Sequence, residues 1–208
     1  MGVSLADAVA WIARGGVLAY PTETVWGLGA DARSDAAVAG LRAFKGRSDD
    51  APLSVLVSGV AALAPLGFRV DATAQRLAAE FWPGPLTLVL RCDGRFARGV
   101  ASGATIGVRC SPHPAALELA RRCERARVGP PTATSCNASG EPPAATRADA
   151  RRVCDDADRV ALLACDDDAA GGDASTVVDL GGDAPRVLRW GAIREPALRP
   201  VLEELAAA

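Results

Sequence analysis

VLAYPTETVWGLG, residues 17–29, sets a pattern that the rest of the chain repeats. Val17 to Tyr20 is a short apolar run that stops at Pro21, which reads as a buried strand. A polar Thr22-Glu23-Thr24 segment follows, and then Gly27 and Gly29. Short hydroxyls at the end of a strand suit a small polar ligand. Gly27-x-Gly29-x-x-Ala32 matches the dinucleotide fingerprint only superficially. Six residues separate its glycines from the strand, and the next helix begins near Ser34.

Outward from this stretch, helices and strands interleave. Ser4-Leu5-Ala6-Asp7 has the form of a capping box before the helical spacing of Leu5, Ala8, Val9 and Ile12, with Gly15 as its stop. Ser34 caps a helix through Val38, Leu41 and Phe44 that ends at Gly46. Leu53–Val57 reads as a strand, 71–81 as a helix, Leu86–Leu90 and Thr105–Cys110 as strands. Pro112 or Pro114 opens a helix through Ala116, Leu119 and Ala120. Val128–Thr134 carries two prolines, which predicts an edge strand or extended segment. Thr146 caps a helix over Ala148–Cys154. Strands follow at Val160–Ala164, Ser175–Leu180 and Val187–Trp190, and a short helix from Pro200. The result is an α/β fold in one domain over 1–208. Several strand connections are too short for helical crossovers, which predicts a mixed sheet.

Composition narrows the function classes. At 208 residues, 50% hydrophobic and 23% charged, the chain builds a full core. A net charge of -2 excludes a broad basic face, and 4% aromatics excludes a stacked platform for single-stranded nucleic acid. The N-terminus lacks signal-peptide features, Ala6 stands where a myristoylation motif needs Ser or Thr, and no membrane span is expected. None of the six cysteines forms a CxxC pair, and His113 is the single histidine, so no zinc or other metal site is expected. Reduced thiols and a cytoplasmic location follow. Asp166–Asp168, before Gly171-Gly172, reads as a solvated acidic turn.

The chemistry-bearing residues lie in separate segments. Lys45 and Arg47 leave a helix end two residues apart, a point charge beside a planar fork, suited to phosphate or carboxylate. Pro131 to Gly140 is dense in hydroxyl and amide groups. Ser175-Thr176 opens a strand, and Arg109 and Arg189 end two others. No GxSxG, HExxH or Walker lysine motif is present. An enzyme built this way works by positioning substrates and neutralising phosphate charge.

Taken in order, PTETVWGLG, FKGR, WPGPLTLVL, TIGVRC before His113-Pro114, TATSCNASGEPP, STVVDL and VLRWGAI resemble the YrdC/TsaC family, the L-threonylcarbamoyladenylate synthases. The resemblance runs from Val17 to Ile193. It implies a YrdC-like twisted mixed sheet with flanking helices and a concave ligand cleft. It implies synthesis of threonylcarbamoyl-AMP and pyrophosphate from L-threonine, bicarbonate and ATP with Mg²⁺. The product would pass to a TsaD/TsaB-type transferase for the t6A modification at adenosine 37 of tRNA. The family's Lys-x-Arg and Ser-x-Asn signature falls on Lys45, Arg47, Ser135 and Asn137, with Lys45 and Arg47 facing phosphates and the carbamate. Thr24, Arg109, Ala133 and Ser175 resemble its threonine pocket, Arg109 meeting the carboxylate. Arg47, Thr105, Ser135, Pro143 and Arg189 resemble its ATP-binding positions. Ser48 follows Arg47 where proline is usual, Ala51 and Leu56 replace an Asn and a His of longer relatives, and Trp26 replaces Tyr or Phe. The alternatives are a YciO-type paralogue, against which Asn137 speaks, a double-stranded RNA or tRNA-binding module, and the YrdC-like part of much longer hydrogenase maturation factors.

Overall fold

A computed structural model describes residues 2–46, 48, 51–155, 159–165, 168–169 and 171–206. β1 (Gly2–Val3) leads into α1 (Leu5–Ala13), β2 (Val17–Tyr20), β3 (Gly27–Gly29), α2 (Asp35–Lys45) and β4 (Ser54–Leu56). Two single-turn 3₁₀ helices, Val60–Ala62 and Ala64–Leu66, precede α3 (Ala72–Phe81), β5 (Leu86–Arg91) and β6 (Thr105–Arg109). Then come α4 (Pro114–Arg125), β7 (Thr132–Ser135), α5 (Arg147–Cys154), β8 (Val160–Leu163), β9 (Thr176–Asp179), β10 (Arg186–Arg189) and α6 (Glu195–Ala206).

The caps act locally. Ser4, Ser34, Asp71 and Thr146 each accept the backbone N–H three residues on, opening α1, α2, α3 and α5. At Ser4 the Asp7 carboxylate also accepts the Ser4 hydroxyl. Gly46 closes α2 in the left-handed conformation at φ 59°. α6 starts at Glu195, so Pro200 lies inside it; Pro196 is the proline that opens this helix.

The ten strands form one sheet in the order β1-β8-β2-β3-β7-β4-β6-β5-β9-β10. The pairs β1/β8, β2/β8, β4/β6 and β5/β9 are parallel and the rest antiparallel, the mixed sheet that the short connections predict. One expectation fails here. β7 is a central strand and not an edge, paired with β3 through Gly27↔Ser135 and with β4 through Ser54↔Ala133. Pro130 and Pro131 stop just short of it, so no ladder donor is lost, and their carbonyls accept from Ala32 and Leu56. The Gly27–Gly29 run is itself a strand, hairpinned on β2. Its glycines are there because the Tyr20 ring occupies the space: a Cβ would sit 3.1 Å from Tyr20 at Gly27 and 3.0 Å from it at Gly29.

Strand alternation splits the core into two layers. Val17 and Ala19 of β2 and Val160 and Leu162 of β8 face α2, α3, α5 and α6 through Leu41, Leu77, Ala150 and Leu198. Leu18, Tyr20, Ala161 and Leu163 face the other way, onto Ile12 of α1 and Leu119 and Cys123 of α4. The six cysteines are free thiols, five buried and Cys165 partly so. Burial pushes the Cys110 thiol up to about 11 and Cys123 to about 12. In the unfolded chain both thiols lose their protons near pH 9 while the folded chain keeps them, so stability falls as pH rises above 9. Between pH 8 and 10 urea unfolding is expected to lose about 3 kcal/mol, about 1.4 per thiol at one unit above its unfolded pKa. Alanine at both positions should remove that share of the slope and leave the share of Cys92 and Tyr20, which burial also raises.

Candidate functional site

The second layer stops short. α1 and α4 pack on β2 and β8, and the same sheet face beyond them stays open as a cleft of about 320 Å³. Its floor follows from strand register. Leu56 of β4 pairs with Arg109 of β6, Arg109 with Thr87 of β5, and Thr87 with Val177 of β9. All four line the cleft, as do Thr24, Ala133, Ser135, Pro143, Ser175 and Arg189. Trp26 also lines it, fully buried, with an indole N–H that meets no partner among the described residues.

Arg109 is held from behind. Its Nη2 donates to Glu23 Oε1 at 2.8 Å and to Thr24 Oγ1 at 2.6 Å. Both members of the ion pair are mostly buried, with side-chain exposures of 11% and 15%. The second Glu23 oxygen accepts the Ser111 hydroxyl at 2.5 Å. Nε of Arg109 is buried and, among the described residues, unpartnered. Across the cleft Arg189 donates to the Ser175 carbonyl at 2.8 Å and to its hydroxyl at 3.2 Å. Burial and the Arg109 charge hold the Arg189 guanidinium below its ordinary pKa, so the two cations face one space. The Ser175 hydroxyl bonds that of Thr87 at 2.8 Å.

A second, more open depression of about 470 Å³ adjoins the first and shares Ser135 with it. Lys45, Ala51, Asn137 and Ser139 line it too. Lys45 is 2% exposed at the last residue of α2. Its ammonium donates to the Ser135 carbonyl, to the Asn137 carbonyl at 2.8 Å and to Asn137 Oδ1 at 2.9 Å. Asn137 Oδ1 also accepts the Ser135 hydroxyl at 2.6 Å, and its Nδ2 donates to the Glu141 carbonyl. Lys45 and the Ser-x-Asn segment, 90 residues apart in sequence, thus meet as one hydrogen-bonded unit. Those contacts hold the Lys45 ammonium at the end of β7, in the lining of the second depression.

Arg47 and Asp166–Asp167 lie outside the described residues. Thr105 lines neither depression: it opens β6, four residues from Arg109 and about 13 Å away along the strand. Its hydroxyl donates to the Ser102 carbonyl. Sequence reasoning missed Glu23, Ser111, Thr87 and Arg42. Glu23 was legible as the one carboxylate inside the Thr-Glu-Thr segment. Arg42 reads as a surface cation of a helix end, yet it is 5% exposed and its guanidinium gathers the carbonyls of Ser48, Ala51 and Gly99. Gly99, at φ 85°, is glycine because a Cβ there would lie 2.7 Å from Arg42 Nε.

A family model, Sua5/YciO/YrdC, described as "Telomere recombination", matches residues 10–191. The chain belongs to the Sua5/YciO/YrdC family. Within it, the chain is 43% identical over 180 residues to a threonylcarbamoyl-AMP synthase of Chromohalobacter salexigens, covering 85% of this chain and 92% of that one. It superposes on the crystal structure of P. abyssi Sua5 complexed with L-threonine with a TM-score of 0.84 at 32% identity. That match covers 98% of this chain and 61% of the longer Sua5 chain. The family fold also relates it to E. coli YciO, at TM-score 0.75 and 22% identity over 94% of this chain and 96% of that one, a likeness of fold alone.

Proposed function

We propose that this chain is a threonylcarbamoyl-AMP synthase, making that adenylate and pyrophosphate from L-threonine, bicarbonate and ATP. The observation that carries this is the pair of adjoining depressions joined at Ser135, one floored by Arg109 and the other built on Lys45 and Asn137. The first suits an amino acid with its carboxylate on Arg109. The relative solved with L-threonine supports that occupant. The second suits a nucleotide's phosphates.

The chemistry needs no protein nucleophile. The free amine of threonine adds to the carbon of bicarbonate, water leaves, and an N-carboxylate forms. Its oxygen attacks the α-phosphorus of ATP, and the bond to the β-phosphate breaks to release pyrophosphate. The protein holds two anions together and offsets their charge, a task of positioning and electrostatics. Mg²⁺ is expected alongside ATP. Among the described residues no group of three His, Cys, Asp or Glu side chains is placed to hold a metal, so phosphate oxygens would be its ligands. The product then passes to a TsaD/TsaB-type transferase acting on tRNA. Six free cysteines fit a reducing compartment, the cytoplasm. Among the described residues no helix is long and apolar enough to cross a membrane.

Pyrophosphate release by the purified chain tests the reading. Release from ATP should require L-threonine and bicarbonate together. Release without threonine, or none with all three present, would sink it.

A further inference from the structure

The geometry points to Thr87 as the residue that selects a β-hydroxyl on the amino acid, an assignment that rests on the threonine reading of the cleft. Thr87 is 4% exposed at the middle of the floor, and its backbone register puts it directly beside Arg109 on one side and Val177 on the other. Neighbouring strands lie about 4.8 Å apart. Arg109 and Thr87 thus stand as neighbours in the lining, where one small amino acid can meet Arg109 with its carboxylate and Thr87 with a β-hydroxyl. Apolar Leu56 and Val177 flank the two polar positions in the same row.

Hydrogen-bond accounting separates the hydroxyls of the cleft. Thr22 donates to the Val25 carbonyl at 2.6 Å, so the proton in its 3.0 Å contact with Thr24 comes from Thr24. Thr24 also accepts from Arg109. Its proton is spent, and it serves to orient the guanidinium. Thr87 and Ser175 differ. Two hydroxyls bring two protons, and their mutual 2.8 Å bond uses one. Arg189 donates to Ser175 Oγ, which fixes that oxygen as an acceptor. Among the described residues neither side chain makes another bond. One proton and two unfilled lone pairs therefore remain at the floor, the complement of an alcohol, which both donates and accepts. Without that alcohol the buried pair is left under-satisfied, and rejection of the des-hydroxy analogue follows.

The experiment compares L-threonine with L-2-aminobutyrate, which keeps the carbon skeleton and lacks the hydroxyl. Dissociation constants come from calorimetry, and kcat/KM from pyrophosphate release. Wild type should prefer threonine by about 10- to 100-fold, the cost of leaving a buried hydroxyl unmatched. Thr87→Val, of equal shape, should lose 10-fold or more of that preference through threonine alone, leaving aminobutyrate little changed. Thr87→Ser, which restores the hydroxyl, should recover the preference. A Thr87→Val enzyme that weakens on both amino acids equally, or keeps the ratio, overturns the assignment. Threonine preference in binding without pyrophosphate release would overturn the synthase reading and leave the Thr87 assignment standing; binding of neither amino acid would overturn the assignment itself.

Discussion

Lys45→Ala is expected to lower kcat/KM for pyrophosphate release by about 1,000-fold or more, and to lower the melting temperature as well. The two losses share one cause. The Lys45 ammonium has three N–H donors, matched by the Ser135 carbonyl, the Asn137 carbonyl and Asn137 Oδ1. Hydrogen bonds to a charged group contribute about 1.5–3 kcal/mol each when buried, and less where water from the open depression replaces them, so a stability loss of about 2–4 kcal/mol is reasonable. The activity loss is larger because Ser135 and Asn137 lose their common anchor at the junction of the two depressions. Thermal unfolding and pyrophosphate release, measured on the same preparation, check both halves. Lys45→Met separates shape from charge: it fills the space, leaves the acceptors unmatched, and should be as inactive as the alanine variant. Full activity in either variant would show that the unit does not organise catalysis.

What the chain disclosed before folding was chiefly local. The apolar run Val17–Tyr20, the Ser34 cap and the Gly46 stop are decided within a few residues, and each stands where sequence placed it. β7 was misplaced because proline rules speak of the residue's own N–H, and Pro130 and Pro131 end one residue too early to interrupt the ladder. The Gly27–Gly29 strand was hidden because its cause is the Tyr20 ring across the hairpin, a contact with no local trace. The site divides the same way. Lys45, Ser135, Asn137, Arg109 and Ser175 were legible from segment patterns and resemblance. Thr87 was not, because a threonine inside an apolar strand signals β propensity as readily as function. Register alone, with Arg109 on one side and Val177 on the other, gives it a place. Thr105 stands apart from the other named residues: it shares a strand with Arg109, and four residues of extended chain carry it beyond the lining of either depression.

Arg109→Met should raise the KM for L-threonine by about 100-fold, leave the KM for ATP within a few-fold, and destabilise the fold. Truncating one partner of a buried charge pair costs about 2–5 kcal/mol, and 1.4 kcal/mol is tenfold in affinity. The stability part comes from Glu23. Its carboxylate is 15% exposed and bonds Arg109 and the Ser111 hydroxyl. Without the guanidinium it is a mostly buried charge with one neutral donor, a loss of about 3–5 kcal/mol before water enters. Arg109→Lys keeps a charge and loses the fork. A point ammonium cannot hold Glu23 and Thr24 while still presenting a donor to the substrate, so threonine KM should rise here too, with a smaller stability loss. The double variant Arg109→Met with Glu23→Gln distinguishes the two roles. Removing both charges should return most of the lost stability, because neither is then buried alone, while threonine KM stays raised. Urea unfolding of wild type, both singles and the double gives the coupling energy, and threonine titrations on the same four proteins give the binding. Recovery of threonine affinity in the double variant would mean that Arg109 serves only to neutralise Glu23, and the carboxylate would then need another partner in the cleft.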